Sequence, residues 1–370
     1  MRARAALLSG LLLLGACAGN PAPAKPKPLL REVDSTDLQR TVVLPQPDQP
    51  IPEGKNALWC ATAPIAWDEL CTVNKAPLDL GPPAPKPVLD SLNRRDFPRA
   101  ALDPACFVAM GGRGVLGIEE KIAKAMAEKF GDASPRHPLP PIAPQDAVGY
   151  AFLRKNLPFT LPFWHGDAPM GFNGGAAPVA NFRIPSLHEN PRRDEVQGQV
   201  GVLFTDGKPG AEHQFAVELS LKGGRDRLVL ARIASGASLR ETWGRAVARE
   251  KESKPGSLPP DSDFIVPMMR FDLTHHFRDL EGAPFRSSPV GLVFFRVFEQ
   301  SILLDLTEEG VKVESQAIAI AIKGGVESPR VIPPSWAFDR PFLLALIEKG
   351  ADTPYLLFWV ENDELLAVMP

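Results

Sequence analysis

Positive charge is the first thing this sequence lacks. In 370 residues, 41 Lys and Arg stand against 44 Asp and Glu, a formal net charge of -3. Binding to nucleic acid through bulk basic surface is thereby excluded, and no nucleic-acid partner is expected. Tyrosine is scarce as well: Tyr150 and Tyr355 accompany twenty phenylalanines, which points to a dry aromatic interior. The strong catalytic signatures are missing, with no G-x-S-x-G elbow, no H-E-x-x-H, no C-x-x-C and no phosphate-cradling glycine loop. The histidines are scattered; His275 and His276, adjacent on an expected helix, cannot share one face as a metal pair at i, i+4 does. No enzyme activity, metal or cofactor is expected. Proline, by contrast, is abundant at forty residues, so the chain is rich in turns and poor in long helices.

Arg2 and Arg4 precede an apolar run from Ala5 to Ala16, too short to span a bilayer as a mature helix but laid out as a secretory signal peptide. The run closes on Leu14-Gly15-Ala16-Cys17, which resembles the bacterial lipobox. That resemblance implies a signal peptide over 1–16, acylation (palmitate among the chains) of Cys17, and a domain held at the cell envelope by its lipid. Ala18 follows where an inner-membrane retention signal carries Asp, so by similarity to enteric lipoproteins the outer membrane is expected. Residues 17–54 read as lipid anchor and stiff, proline-rich tether, and 55–370 as one domain. Three cysteines then remain, Cys60, Cys71 and Cys106. On a single helix Cys60 and Cys71 stand about 16 Å apart, beyond disulfide reach, so either a bridge involves Cys106 or all three are unpaired.

Along the domain, the spacing predicts a buried helix over 57–72, a short strand over 105–110, an amphipathic helix over 118–130 and a buried strand over 147–153. Strands follow over 199–204, 215–221 and 228–233, then a helix opened by the capping box of Ser238 and Glu241. Residues 264–267 read as a strand, and Leu273, Phe277 and Leu280 as one face of a short helix. Further strands are expected over 290–298, 301–306, 315–322, 342–347 and 355–360. The sum is an α+β fold, with large mixed sheets and helices packed on them.

The last seventy residues resemble the carboxy terminus of the serpins. Glu308-Glu309-Gly310 matches the acidic end of the strand before the reactive loop, and Phe338-Asp339-Arg340-Pro341-Phe342-Leu343-Leu344 matches the segment that opens the family's final hairpin. Pro354-Tyr355-Leu356-Leu357-Phe358 is similar to the last serpin strand. Weaker matches run upstream in the family's order, at Phe264-Ile265-Val266-Pro267, at Phe159-Thr160-Leu161-Pro162-Phe163 and at Asn56 to Leu70. The chain departs from the pattern in four ways. Cys60-Ala61 replaces Ser-Pro, Phe159 stands for Trp, no helix is expected before Asn56 where the family has its first one, and residues 131–146 are a proline-rich stretch where the family carries a helix across the front of its main sheet.

The resemblance implies a serpin-like fold with an exposed reactive-centre-type loop over 311–337, which inserts into the main sheet after cleavage and so traps a serine or cysteine protease, secreted or of the envelope. The loop is bait, the protein a monomer. Glu308, Glu309, Gly310, Val311, Val313, Ser315, Ala317 and Ala319 are the hinge. Parity supports this: Val311, Val313, Ser315, Ala317, Ala319 and Ala321 are small and uncharged on one face, while Lys312, Glu314, Gln316, Ile318, Ile320 and Ile322 occupy the other. The scissile region falls near Lys323-Gly324-Gly325, with Arg330 as a second basic candidate for a trypsin-like protease. The alternative is a non-inhibitory serpin-fold binding or structural module of the envelope.

Overall fold

The computed structural model describes residues 28–131, 138–186, 188–208, 210–260, 262–287, 291–314 and 336–369. The signal peptide, Cys17, and the loop residues Ser315, Ala317, Ala319, Lys323, Gly324, Gly325 and Arg330 lie outside the described residues.

From residue 28 the chain departs from the expected tether. Strands β1 (Arg31–Asp34) and β2 (Thr41–Val43) come first, and Val33, Val43 and Leu44 are buried. A proline-rich segment is free only where it has nothing apolar to bury, and this one does. Strand β3 (Asn56–Cys60) and helix α1 (Thr62–Asn74) divide what periodicity joined into one helix. All five residues of β3 are buried, and a short apolar run buried on every side carries no period that separates strand from helix. Pro64 falls in the first turn of α1, where the backbone N–H has no helical partner to lose.

Helix α2 (Lys86–Asn93) leads to β4 (Phe107–Arg113), α3 (Ile118–Phe130) and β5 (Ala147–Pro158). Glu119 and Glu120 in the first turn of α3 and Lys129 in the last complement its dipole. Short strands β6 (Trp164–His165) and β7 (Asn181–Arg183) and helix α4 (Arg193–Gly198) precede β8 (Val200–Thr205), β9 (Phe215–Leu219) and β10 (Asp226–Arg232), the expected antiparallel run. Helix α5 (Leu239–Glu252) opens as expected: Ser238 Oγ accepts from Glu241 N at 3.2 Å, and the Glu241 carboxylate accepts from Ala237 N at 2.8 Å.

After β11 (Gly256–Ser257) and β12 (Phe264–Pro267), the expected short helix is instead strand β13 (Met269–His276). Met269, Phe271 and Leu273 are buried at a period of two, and only Leu273 of the supposed helical face lies within the strand. The chain ends with β14 (Pro284–Ser287), β15 (Gly291–Phe294), β16 (Glu299–Thr307), β17 (Gly310–Glu314), β18 (Trp336–Ala337), β19 (Phe342–Glu348) and β20 (Leu356–Val360).

These strands form an α+β architecture of large mixed sheets. One sheet has the order β1-β13-β16-β17-β5-β4, another the order β11-β8-β9-β10-β19-β20-β3-β2. The main core lies between them, with α1 against β4 and β5. On the other face of those two strands, Ile118, Ile122 and Met126 of α3 pack with Val108 and Phe152 in a second, smaller core. The front of the sheet, where residues 131–146 offered only a proline-rich stretch, is covered at this edge by α3. The N-terminal strands lie on the outer edge of each sheet, β1 parallel to β13 and β2 parallel to β3. One carboxylate holds the entry to β2: Glu364 accepts from Gln39 N at 2.9 Å, from Arg40 N and from the Thr41 hydroxyl at 2.7 Å.

Candidate functional site: the acidic turn, a seated strand and the cleft beyond it

Glu308 and Glu309 form the turn between β16 and β17, with Thr307 paired to Gly310. Backbone fixes this turn: the Glu309 carbonyl accepts from Phe159 N at 2.9 Å and the Glu308 carbonyl from Phe163 N at 2.8 Å. Phe159 and Phe163, edge to face at 4.9 Å, pack on Phe182 beneath it, and His165 Nδ1 lies 3.6 Å from the Glu308 carboxylate. Gly310 has φ of 145°, and a Cβ there would stand 2.5 Å from the Leu157 carbonyl oxygen. Only glycine admits the chain at this point. Gly310→Val is accordingly expected to unseat β17 at a cost of ~3 kcal/mol, read as lost hydrogen-exchange protection at Val311 and Val313.

From Gly310 the chain enters the main sheet as β17, antiparallel to β16 on one side and to β5 on the other. Val311 and Val313 are fully buried, Lys312 is exposed and Glu314 half-buried, which is the parity read from the sequence. Glu314 pairs with Arg154 Nε at 3.0 Å, and the Arg154 guanidinium lies over the rings of Phe130 and Phe152, so α3 reaches this face. Beneath the sheet Lys155, the register partner of Val313, is buried with Asp226 at 2.7 Å and with Glu348; the Tyr355 hydroxyl donates to Asp226 at 3.1 Å. Burial pulls the Lys155 pKa down, but hydrogen bonds to Asp226 and Glu348 outweigh it and hold the ammonium above its ordinary value.

The described residues of β17 end at Glu314, and the two walls on either side of it continue. Among the described residues, positions 147–153 of β5 and 299–302 of β16 have no strand partner on the sides that face each other. A cleft of about 390 Å³ lies there, walled by Ala147 to Phe152 and by Glu299 to Ser301, with Thr62, Ala63, Ala66 and Leu70 of α1 as its floor. The floor is close: a Cβ on Gly149 would stand 2.1 Å from the Ala66 carbonyl oxygen. Gln300, 4% exposed, donates to the Cys60 carbonyl at 3.1 Å and to Thr62 Oγ1 at 2.7 Å, which leaves its own oxygen unpartnered in the cleft. At the foot, Arg296 Nη2 donates to Asp146 at 2.8 Å.

The structure thus brings Glu308, Glu309, Gly310, Val311 and Val313 together with groups that sequence reasoning missed, namely Arg154, Lys155, Gln300 and the α1 floor. Glycines inside strands, Gly111 and Gly149, were the available signal of close approach. His275 and His276 are not on a helix and alternate across β13. His276 bridges Glu281 at 3.0 Å and Glu299 at 3.3 Å. His275 Nδ1 lies 2.8 Å from Ser35 Oγ, and burial, helped by the charge of His276, lowers its pKa to about 4. A His whose pKa falls on folding stabilises fully above its unfolded pKa of about 6.5 and loses that contribution as pH falls toward 4. We expect unfolding in urea at pH 4.5 to show a deficit of about 2 kcal/mol against pH 7.5 that is absent in His275→Gln.

Among the described residues no group of three or more His, Cys, Asp and Glu side chains is arranged to hold a metal ion. Cys60, Cys71 and Cys106 are all free thiols, with Cys60 in β3 rather than on the helix of Cys71. No described helix is long and apolar enough to cross a membrane.

No protein-family model matches the chain, and no curated protein matches it in sequence. Among solved structures the chain is similar to thyroxine-binding globulin in complex with thyroxine, at 10% identity and a TM-score of 0.42, over 84% of this chain and 94% of that one.

Proposed function

We propose that this protein is a serpin-like bait-loop inhibitor of a serine or cysteine protease, anchored in the bacterial envelope by a lipid on Cys17. The observation that carries the reading is β17, which follows the acidic turn directly into the main sheet and points its small residues at the core. A strand that continued in this register would set Ser315 beside Leu153, Ala317 beside Ala151 and Ala319 beside Gly149, in the cleft above α1. A cleaved loop that takes this path gives each bare strand edge its missing partner and buries alanine where the floor admits little more. The cleavage supplies the free end, and the released energy of insertion carries the attached protease away from the loop's original position.

The test is to expose the protein to trypsin-like and elastase-like proteases and follow both partners. A complex stable to denaturing electrophoresis, and a large rise in the melting temperature of the cleaved chain, are expected. Free turnover of the protease with no complex and no rise would sink the proposal. One observation favours the second reading, a non-inhibitory envelope module: β17 is already fully paired on both sides and tied by Glu314 to Arg154. Under that reading the seated strand is an ordinary member of the sheet, and cleavage downstream leaves the melting temperature unchanged.

A further inference from the structure

We infer that the ion pair of Arg296 and Asp146 is a latch across the foot of the cleft, setting how readily a strand extends past the end of β17. The inference rests on the bait-loop reading and concerns the regulation of that same site. Asp146 immediately precedes β5, and Arg296 lies in the stretch that leads from β15 into β16, so the two residues belong to opposite walls. Arg296 Nη2 donates to the Asp146 carboxylate at 2.8 Å and to the Pro141 carbonyl at 2.7 Å. The same carboxylate accepts from Ala143 N at 2.8 Å, which fixes it on the turn before β5.

Register shows where the pair stands. The β17–β5 pairing matches Gly310 with Pro158 and Glu314 with Arg154, so the strand reaches Ala147 seven residues after Glu314. A chain that fills the cleft therefore arrives at the latch on completing its run along β5. A backbone at that level would run between the two walls, which Arg296 and Asp146 join. The ion pair and a fully extended strand exclude each other. On its core side the Arg296 wall is anchored by Phe295 and Phe298, both buried against Trp67, while on the outer side Phe294 is 65% exposed and Val297 36%, and there Arg296 to Asp146 is the link to the opposite wall. The Arg296 side chain is itself half exposed, which makes the latch weak enough to open without unfolding and sensitive to salt.

Hydrogen exchange on the full chain, before and after loop cleavage by an elastase-like protease, reads the insertion directly as new protection at 147–153 and 299–302. In Arg296→Ala that protection should arise roughly threefold to tenfold faster than in wild type, the range expected for loss of a half-exposed ion pair. The exchanged pair, Arg296→Asp with Asp146→Arg, should return the rate to the wild-type value. Should Arg296→Ala fail to fold, wild type in high against low sodium chloride carries the same test, since screening weakens the latch. Equal rates in wild type, the alanine variant and high salt would overturn the latch and leave the bait-loop reading standing. Absence of new protection in every variant would overturn both.

Discussion

Ala317→Glu is expected to abolish trapping while leaving the uncleaved protein as stable as wild type. Insertion in the register of β17 would turn residue 317 toward α1, beside Ala151 and Gln300, and neither of those neighbours, nor Thr62, Ala63, Ala66 and Leu70 of the floor, is a cation. Burying an unpaired carboxylate costs several kcal/mol, enough to lower the insertion rate by at least ~100-fold and to let the protease escape by hydrolysis. The control is Gln316→Glu, which adds the same charge on the opposite parity and should inhibit nearly as well as wild type. The readout is the number of inhibitor molecules consumed per protease trapped. Equal values for the two variants would mean that parity does not govern the loop, and the inhibitor reading would fall with it.

The second large effect concerns the fold itself. Lys155→Met removes the ammonium that neutralises Asp226 and Glu348 beneath the main sheet, and leaves two carboxylates to share a buried site with the Tyr355 hydroxyl. Breaking a buried pair from one side typically costs ~3–5 kcal/mol, far more than the pair contributes over an apolar substitute, because the abandoned charge cannot reach water. Urea unfolding should show that loss, and adding Asp226→Asn to Lys155→Met should recover part of it. The raised pKa of Lys155 sets the alkaline behaviour: its contribution is complete below the unfolded value of 10.5 and disappears as pH climbs through the higher folded value. A Lys155→Met protein that unfolds at the wild-type urea concentration would show that the network is energetically neutral.

These two residues also show what could be read in advance. The parity of 311–314 was legible because a strand of period two writes its buried face into alternate positions, and Val311 and Val313 are buried as read. So were β8 to β10, α3 and the capped start of α5, where turn or capping chemistry marks the ends. Lys155 was not legible. A lysine in a strand reads as a solvated edge until the carboxylates of two distant strands are known to stand opposite it. The cleft escaped for the same reason: it is made by register, between residues about 150 positions apart, and register is a property of pairs. The N-terminal strands were lost to composition, since proline density concealed the buried Val33, Val43 and Leu44. The front helix was sought at 131–146 because the family places one there, whereas α3 already lay over that face.

The placement of β3 has a kinetic consequence. Its five residues are buried, it lies between β2 and β20, and Asn56 holds the backbone of Glu361 and Asn362 at 2.8 and 2.9 Å. The eight-stranded sheet is thus closed by joining the first sixty residues to the last fifteen. Pairings this remote in sequence must meet the full entropic cost of closing the chain before they return any stability, so they form late and slowly. Until β20 leaves the ribosome, β3 lacks one of its two neighbours and the large sheet cannot close. A nascent chain in that state has its large sheet incomplete, with the edges of β3 and β19 that face β20 still open to water.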